Sequence, residues 1–337
     1  MSPPLVSVLL PFRNNGATLE LALRSVLAEG DVPIEIIAVD DGSTDESGAV
    51  LRRVAERDPR VRTLATGGVG IVGALSSGLD AARGKWIARM DGDDESLPGR
   101  WRAQIDALER DERLGVIGTR VEAFPAECVL GGMQRYVTWL NATVSADDHA
   151  REMFVESPLC HPSVMLRREA LLSVGAWREC MWAEDYDLWL RLDAAGWRLA
   201  KVPEVFLRWR QGSGRLTFAD PRYARDRFLE AKGHYLAPRL IRLARTVVVW
   251  GAGPVGRRLA RALERGGVRA SAFVDVDPRK IGRVARGVRI VAADALVRGG
   301  PRPYVVVAVG SLGARALIRS ALVQLGYRET DDFVCAA

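Results

Sequence analysis

The stretch that decides the fold is Gly84-Lys-Trp-Ile-Ala-Arg-Met-Asp-Gly-Asp-Asp94. Its apolar centre is typical of a buried strand, and its end is a turn that carries three aspartates. Two earlier segments follow the same plan: Val6-Ser-Val-Leu-Leu-Pro-Phe-Arg-Asn-Asn15 and Ile34-Glu-Ile-Ile-Ala-Val-Asp-Asp-Gly-Ser-Thr-Asp45. The sequence therefore predicts several buried strands, each of which ends at a polar turn.

The segments between these strands show the spacing of helices. Residues 17–29 and 74–82 carry apolar side chains three or four positions apart, and residues 61–64 form a further short apolar run. Strands that alternate with helices require crossover connections, which place neighbouring strands parallel in one sheet. We therefore expect an α/β fold.

The same alternation restarts near residue 246, which indicates a second, smaller α/β domain. The strand Val247-Val-Val-Trp250 is followed by Gly251-Ala-Gly-Pro-Val-Gly256 and then by a helix. Gly251, Gly253 and Gly256, with Asp275 about 20 residues further on, match the pattern of a dinucleotide-binding turn. The pattern predicts a Rossmann-like domain over 246–337, after a helical linker over 221–245. Whether this domain binds a nucleotide or serves only for packing stays open.

Length and composition agree with two cytosolic domains. The chain has 337 residues, which is long for one domain and suits two. The four cysteines are scattered, and no apolar run reaches the length of a membrane span, so we expect a cytoplasmic protein with neither signal peptide nor membrane span. The net charge is +6, and almost all of the basic residues are arginines, which alternate with acidic residues. This pattern favours solvated helix faces over nucleic-acid binding, and weak contact with an anionic membrane stays open.

Aspartates follow the predicted strands at the edge where an open parallel sheet binds ligands. Asp40, Asp41, Asp91 and Asp93 are all expected at this edge. Two bare carboxylates in contact repel by up to about 4 kcal/mol at an effective dielectric of about 20. A divalent cation such as Mg²⁺ or Mn²⁺ would offset this repulsion. Asp94 has two open interpretations, as a member of this group or as the cap of the next helix.

Four motifs in order carry a family resemblance. The stretches V-S-V-L-L-P-F-R-N-N, I-A-V-D-D-G-S-T-D, G-K-W-I-A-R-M-D-G-D-D and W-A-E-D-Y-D-L-W-L-R resemble those of family 2 glycosyltransferases. The resemblance covers roughly residues 5–215 and implies a GT-A type nucleotide-diphospho-sugar transferase domain over 1–220. It implies inverting transfer of a sugar, with UDP favoured as the nucleotide, to a hydroxyl of a glycan or lipid-linked acceptor. Mn²⁺ or Mg²⁺ would be the cofactor, and the product would be a polysaccharide or other glycan.

The resemblance also implies roles for individual residues. The positions that match the nucleotide-sugar site are Pro11, Arg13, Asp40, Asp41, Arg89 and Asp91. Asp93, with Asp91, matches the metal ligands. Asp185, beside Glu184, matches the catalytic base. Family members often have a histidine after the strand at 205–209, where this chain has Arg208-Trp-Arg-Gln211, so Gln211 would complete a metal shell only weakly.

Other interpretations remain at this point. The C-terminal domain resembles nucleotide-binding domains of polysaccharide-biosynthesis proteins over residues 273–282, so an NAD(P)-dependent oxidoreductase or a nucleotide-sugar-binding protein is the alternative function. A transferase domain that only binds its ligand is a third possibility. His161 is either a site residue or a packed histidine. Trp182 either stacks on a sugar ring or lies in the core.

Overall fold

The computed structural model describes residues 3–212, 217, 220–297 and 301–337, and these group into two compact units. The first unit comprises Met1–His149, Pro158–Cys180 and Glu184–Ala219. The second comprises Ala150–Ser157, Met181–Ala183 and Asp220–Ala337. Two short segments from the middle of the chain therefore belong to the C-terminal unit.

The first unit is built on one eight-stranded sheet. Its strands are β1 (Val6–Phe12), β2 (Ile34–Asp40), β3 (Val61–Ala65), β4 (Trp86–Arg89), β5 (Glu95–Ser96), β6 (Leu114–Phe124), β7 (Met165–Arg167) and β8 (Arg198–Arg210). Their order across the sheet is β3-β2-β1-β4-β7-β6-β8-β5. The pairs among β1 to β4 are parallel, as the sequence predicts, whereas β7 runs antiparallel to both β4 and β6.

Eight helices of the chain start before residue 220 in the described part, and they cover this sheet or connect its strands. They are α1 (Leu19–Leu27), α2 (Ser47–Arg57), α3 (Gly70–Ala81), α4 (Arg100–Arg110), α5 (Gly131–Ala142), α6 (Ala146–Glu152), α7 (Arg168–Ser173) and α8 (Glu184–Ala194). Helix α1 shows why they form: Leu19, Leu23 and Val26 are fully buried at helical spacing. The central strands β1 and β2 are apolar almost throughout because helices shield both faces of the sheet.

The second unit contains a separate sheet of six strands. The strands are β9 (Val247–Trp250), β10 (Ala272–Val274), β11 (Val284–Ala285), β12 (Val288–Val291), β13 (Tyr304–Val307) and β14 (Phe333–Cys335), in the order β11-β12-β10-β9-β13-β14. All pairs are parallel except the hairpin of β11 and β12. The unit also holds α9 (Arg225–Leu243), α10 (Pro254–Arg265) and α11 (Ala314–Gln324).

The segment 221–245, predicted as a helical linker, is mostly α9, and this helix groups with the second unit. The reason is close packing: a Cβ added at Gly233 would lie 2.4 Å from Cβ of Ala262 on α10. The Lys232 side chain is buried, and its Nζ donates to the carbonyls of Val155 (2.8 Å) and Ala336 (3.2 Å). These contacts account for the inclusion of residues 150–157 in this unit.

In the glycine-rich turn after β9, the backbone at Gly256 lies in close contact with the backbone at Gly251. Gly251 has φ of 119°, and a Cβ added at Gly256 would lie 1.8 Å from the carbonyl oxygen of Gly251. At Gly253, by contrast, a Cβ would meet no atom within 4 Å. The first and last glycines of the motif are therefore required by packing, whereas the middle one leaves open space.

Among the described residues, no helix combines the length and the apolar character that a membrane crossing needs.

Replacing Gly256 by alanine tests this packing. We expect Gly256→Ala to lower the free energy of unfolding by about 2 kcal/mol or more, because the new methyl group overlaps a backbone oxygen. Gly253→Ala is the matched control and should unfold at nearly the wild-type urea concentration. Urea titration followed by tryptophan fluorescence measures both variants. Equal stability of the two variants would contradict the tight approach.

Candidate active site

The loops that follow the parallel strands of the first unit meet at one edge of its sheet. A Cβ added at Gly92, after β4, would lie 2.9 Å from Cβ of Phe12 at the end of β1. Oγ1 of Thr18 donates to the carbonyl of Gly92 (2.9 Å). After β2, Gly42 has φ of 78°, and a Cβ there would lie 3.1 Å from the backbone nitrogen of Gly68, after β3. The small residues allow these loops to touch.

The loops after β1 and β2 are joined by reciprocal hydrogen bonds. The backbone N–H of Asn14 donates to Oγ of Ser43 (3.0 Å), and that of Thr44 donates to Oδ1 of Asn14 (2.8 Å). Asn14 has φ of 57°, which asparagine tolerates better than most residues. The preceding residue, Arg13, is exposed at the edge, whereas Pro11 is buried within β1. Of these two predicted nucleotide-binding residues, only Arg13 therefore presents its side chain to solvent.

Asp41 is buried and shapes the loop after β3. Its Oδ1 accepts from Oγ1 of Thr66 (2.8 Å) and from the backbone N–H groups of Gly68 (3.1 Å) and Val69 (2.7 Å). Its Oδ2 accepts from the backbone N–H of Gly70 (2.9 Å). Burial alone would raise the pKa of Asp41, but these hydrogen bonds outweigh it and hold the pKa below its usual value.

Asp40 differs from its neighbour in exposure. It is half-buried, and its Oδ1 accepts from the backbone N–H of Ser43 (2.8 Å). A carboxylate has about four acceptor positions, and the four donors around Asp41 use that capacity. Of the two predicted nucleotide-binding aspartates, Asp40 therefore has more capacity for a ligand.

Three carboxylates gather in the turn after β4. Oxygens of Asp91, Asp93 and Asp94 all lie within 4.8 Å of one another. Asp94 is buried: its Oδ1 accepts from the backbone N–H of Arg210 (2.7 Å), and its Oδ2 has no hydrogen-bond partner. Burial raises the pKa of Asp94 well above its usual range, and the charges of Asp91 and Asp93 add to the increase. Because α4 begins after Gly99, Asp94 does not cap that helix. Its carboxylate belongs to this acidic cluster.

The acidic cluster fits a divalent cation. A buried carboxylate oxygen without a partner is costly, and two further carboxylates beside it increase the cost. Hard cations such as Mg²⁺ and Mn²⁺ take such oxygen donors and remove the repulsion between them. Asp91, Asp93 and Asp94 therefore form a donor set that suits the cation the sequence predicts.

The end of β8 supports this turn. Nε of Arg210 donates to the carbonyl of Asp93 (2.7 Å), and its guanidinium lies 4.4 Å from the ring centre of Phe124. At Gln211, where a family histidine is often found, the backbone N–H donates to the carbonyl of Phe124 (2.7 Å) and Nε2 donates to the carbonyl of Trp209 (3.2 Å). Two backbone contacts thus position the Gln211 residue.

Arg89 connects the acidic cluster with a second pair of carboxylates. It is buried, and its guanidinium forms an ion pair with Asp91. Burial would lower its pKa, but the charges of Asp91, Asp94 and Glu184 outweigh burial and raise the pKa of Arg89 above its usual value. Asp185 is also within electrostatic range of Arg89. The predicted donor-side and catalytic residues therefore share one neighbourhood.

Glu184 and Asp185 lie in the first turn of α8. Glu184 is buried, with Oε1 3.8 Å from Nδ1 of His161. Burial, reinforced by Arg89, holds the pKa of His161 well below its usual value, so the ring is neutral. Its Nε2 accepts from Nε1 of Trp177 (3.0 Å), which assigns the proton to Nδ1, on the side of Glu184.

Asp185 is half-buried and has a strongly shifted pKa. Loss of hydration raises the pKa of Asp185 to about 8, with the adjacent charge of Glu184 as the second cause. The backbone N–H of Tyr186 donates to its Oδ1 (2.6 Å) and acts in the opposite direction. A carboxylate of this kind can take up a proton near neutral pH.

Trp182 and the glycine-rich motif lie in the second unit. Trp182 is buried, with its ring centre 5.3 Å from that of His234 on α9, so it takes the packed interpretation. The carboxylate of Asp275 accepts from the backbone N–H of Ala252, from that of Asp277 and from Nζ of Lys280, each at 3.0 Å. Nucleotide binding by Gly251, Gly253, Gly256 and Asp275 stays a prediction.

Two arginines that support the site are not among the residues predicted from the sequence. Arg210 is one, and Arg100 is the other: it is fully buried, and its Nη2 donates to the carbonyls of Arg89 (3.0 Å) and Pro162 (2.8 Å). Arg100 thereby joins the end of β4 to the turn that carries His161. No sequence signal separates such a residue from the exposed arginines of the same helix.

Comparisons with known proteins agree with this geometry. The family model described as Glycosyl transferase family 2 matches residues 7–175. The amylovoran biosynthesis glycosyltransferase AmsE of Erwinia amylovora is 31% identical over 58% of this chain and 71% of its own length. The putative glycosyltransferase EpsE of Bacillus subtilis is 29% identical over 63% of this chain and 75% of its own length.

A solved structure gives the same result for the fold. The chain resembles S. aureus TarS, solved in complex with UDP-GlcNAc, with a TM-score of 0.54 and 15% identity over 77% of this chain and 72% of that one. At this identity the likeness concerns the fold alone. The family match spans half of the chain and includes the loops after β1 to β4 and the acidic cluster, and the chain belongs to glycosyltransferase family 2.

Proposed function

We propose that this protein transfers a sugar from a nucleotide-diphosphate sugar to a hydroxyl group, with inversion at the anomeric carbon. The observation that carries the proposal is the buried, unpartnered Oδ2 of Asp94 beside Asp91 and Asp93, in the same neighbourhood as Glu184 and Asp185. One set of carboxylates suits a cation and its diphosphate, and the other suits an acceptor. We propose residues 1–220 as the transferase domain and residues 246–337, together with α9, as a Rossmann-like domain.

On the donor side, Asp91, Asp93 and Asp94 would hold Mn²⁺ or Mg²⁺. A divalent cation held there would supply positive charge to neutralise the departing nucleoside diphosphate. Arg210 fixes the turn through the carbonyl of Asp93 and the carboxylate of Asp94. Asp40 and Arg13 lie in the adjoining loops and are proposed to contact the nucleotide.

On the acceptor side, Asp185 is proposed as the general base. A hydroxyl group is a weak nucleophile until a base takes its proton. As the new bond from the acceptor oxygen to the anomeric carbon forms, the bond from that carbon to the diphosphate oxygen breaks, and the acceptor proton passes to Asp185. Glu184 is buried and cannot reach the acceptor as easily, so we propose that it tunes Asp185 through its charge.

The relatives suggest the setting of this reaction. AmsE is named for amylovoran biosynthesis, and ExoO of Rhizobium meliloti for succinoglycan biosynthesis. We therefore propose a growing polysaccharide or a lipid-linked glycan as acceptor, at the cytoplasmic face of a membrane. UDP-sugars are the first donors to test, since TarS was solved with UDP-GlcNAc.

A panel of nucleotide sugars tests the proposed reaction. With Mn²⁺ present, we expect at least one UDP- or GDP-sugar to release its nucleoside diphosphate, and EDTA to stop the release. A coupled assay for free UDP and GDP provides the measurement. Stabilisation against heat by NAD(H), with no effect of UDP or GDP with Mn²⁺, would instead favour an oxidoreductase and contradict the proposal.

The metal ligands are tested by substitution of the acidic cluster. Asp93→Ala and Asp94→Asn should each weaken binding of Mn²⁺ in the presence of UDP by about tenfold or more, because each removes a charged oxygen donor. Asp106→Asn, on the exposed face of α4, removes one charge outside the site and should bind as the wild type does. Isothermal titration calorimetry measures the affinities. Unchanged Mn²⁺ affinity in either cluster variant would remove that residue from the metal site.

The base is tested by a variant and a pH profile. Asp185→Asn should bind the donor normally but lose about a hundredfold or more in kcat, since amide nitrogen cannot accept the proton. Because the pKa of Asp185 is raised to about 8, the ionised form increases with pH, and wild-type kcat/KM should rise with pH up to that region. The residual activity of Asp185→Asn should lack this rise. Near-normal turnover in the variant would show that another group is the base.

A further inference from the structure

A groove lined by arginines lies in the second unit and begins at Pro254, in the glycine-rich turn. It consists of two open cavities of ≈ 340 and ≈ 620 Å³ that share Arg286. The arginines that line it, called the arginine groove from here on, are Arg257, Arg258, Arg261, Arg269 and Arg286. Arg286 belongs to the tight turn of the β11–β12 hairpin, and most of the others belong to α10.

Most of the positive charge in the arginine groove is not neutralised. Arg258 pairs with Asp226 (3.0 Å), and Arg286 pairs with Glu264 (2.5 Å). Arg257, Arg261 and Arg269 are exposed and form no ion pair with any residue that the structure describes. On α4, by contrast, Arg102 and Arg110 each lie within 3.9 Å of an aspartate oxygen. Three of the five groove arginines therefore carry a charge that no acidic side chain in the described part of the chain pairs.

The wall of the groove excludes several kinds of ligand. Apart from the arginines, the lining comprises Glu264, Gly267 and Pro254, with no aromatic side chain. Sites for single-stranded nucleic acid combine positive charge with aromatic rings for base stacking, and small-molecule sites are enclosed and largely apolar. An open surface that carries five guanidinium groups and one carboxylate suits a broad array of negative charges.

The hairpin that carries Arg286 also exposes apolar side chains. Val284 on β11 is 66% exposed, and Ile281 just before it is 36% exposed. Arg283 and Arg289, on the same hairpin and its approach, are exposed as well. Exposed aliphatic side chains among arginines are the combination by which peripheral proteins attach to anionic bilayers: the cations meet the phosphates, and the apolar groups enter the headgroup region.

We propose that the arginine groove, together with Ile281 and Val284 at the start of the hairpin, docks on the surface of a bilayer that contains anionic phospholipid. This docking goes beyond sugar transfer and does not depend on it. It would concentrate the protein in the layer where lipid-linked hydroxyl acceptors reside. The attraction is electrostatic in origin, so it weakens as the ionic strength rises.

Vesicle flotation with the full chain tests the proposal. The probes are vesicles of phosphatidylcholine alone and of equal parts phosphatidylcholine and phosphatidylglycerol. The triple variant Arg257→Gln, Arg261→Gln, Arg269→Gln removes the three unpaired groove charges. The matched control Arg110→Gln, Arg135→Gln, Arg242→Gln removes three exposed charges elsewhere. Thermal unfolding and donor cleavage confirm that both variants are folded and active.

We expect the wild type and the control to float with anionic vesicles at low salt. Neither protein should float with vesicles of phosphatidylcholine alone. The groove variant should lose about tenfold or more in vesicle partitioning, since each arginine near an anionic surface contributes separately. Equal flotation of the groove variant and the control would overturn the proposal. So would loss of affinity for a soluble polyanion such as heparin without any loss of vesicle binding. Failure of the transfer reaction itself would leave these vesicle results unaffected.

Discussion

The positive charge of Arg89 lies buried among carboxylates, and the transferase site depends on that arrangement. An ion withdrawn from water loses several kcal/mol of solvation, which only close opposite charges restore. Asp91 supplies the direct ion pair, while Asp94 and Glu184 contribute through their charge. The acids in turn would repel one another without the guanidinium. The guanidinium of Arg89 thereby joins the turn after β4 to the first turn of α8, two elements almost a hundred residues apart in the sequence.

The contacts around the acidic cluster fix the positions of its carboxylates. Gly92 allows the acidic turn to pack on Phe12. The hydroxyl of Thr18 donates to the carbonyl of Gly92 and holds the same turn. Arg210 donates hydrogen bonds to the carbonyl of Asp93 and to the carboxylate of Asp94. The acidic cluster is therefore fixed before any ligand arrives. Preorganised charge of this kind stabilises a developing negative charge without further rearrangement.

Much of this architecture could be predicted from the sequence, and the features that could not be predicted share a physical cause. Strands β1 to β4 and the aspartates that follow them were predictable because local periodicity and the strand-end rule depend on neighbouring residues only. The role of Asp94 was not, because it is decided by Arg210, a residue 116 positions away. The same holds for Arg100, whose partners Arg89 and Pro162 come from separate loops. Asp41 shows the converse: its position was predicted, but four donors in the next loop give it a structural task as well.

The path of the chain limits how this protein can be divided. Residues 150–157 and 181–183 belong to the C-terminal unit, although the segments on either side belong to the transferase unit. Met153 and Phe154 are almost fully buried, and Lys232 holds the carbonyl of Val155. A cut near residue 220 would separate residues 150–157 and 181–183 from the rest of the unit to which they belong. The C-terminal part is therefore not a cassette that a single cut in the chain can remove cleanly.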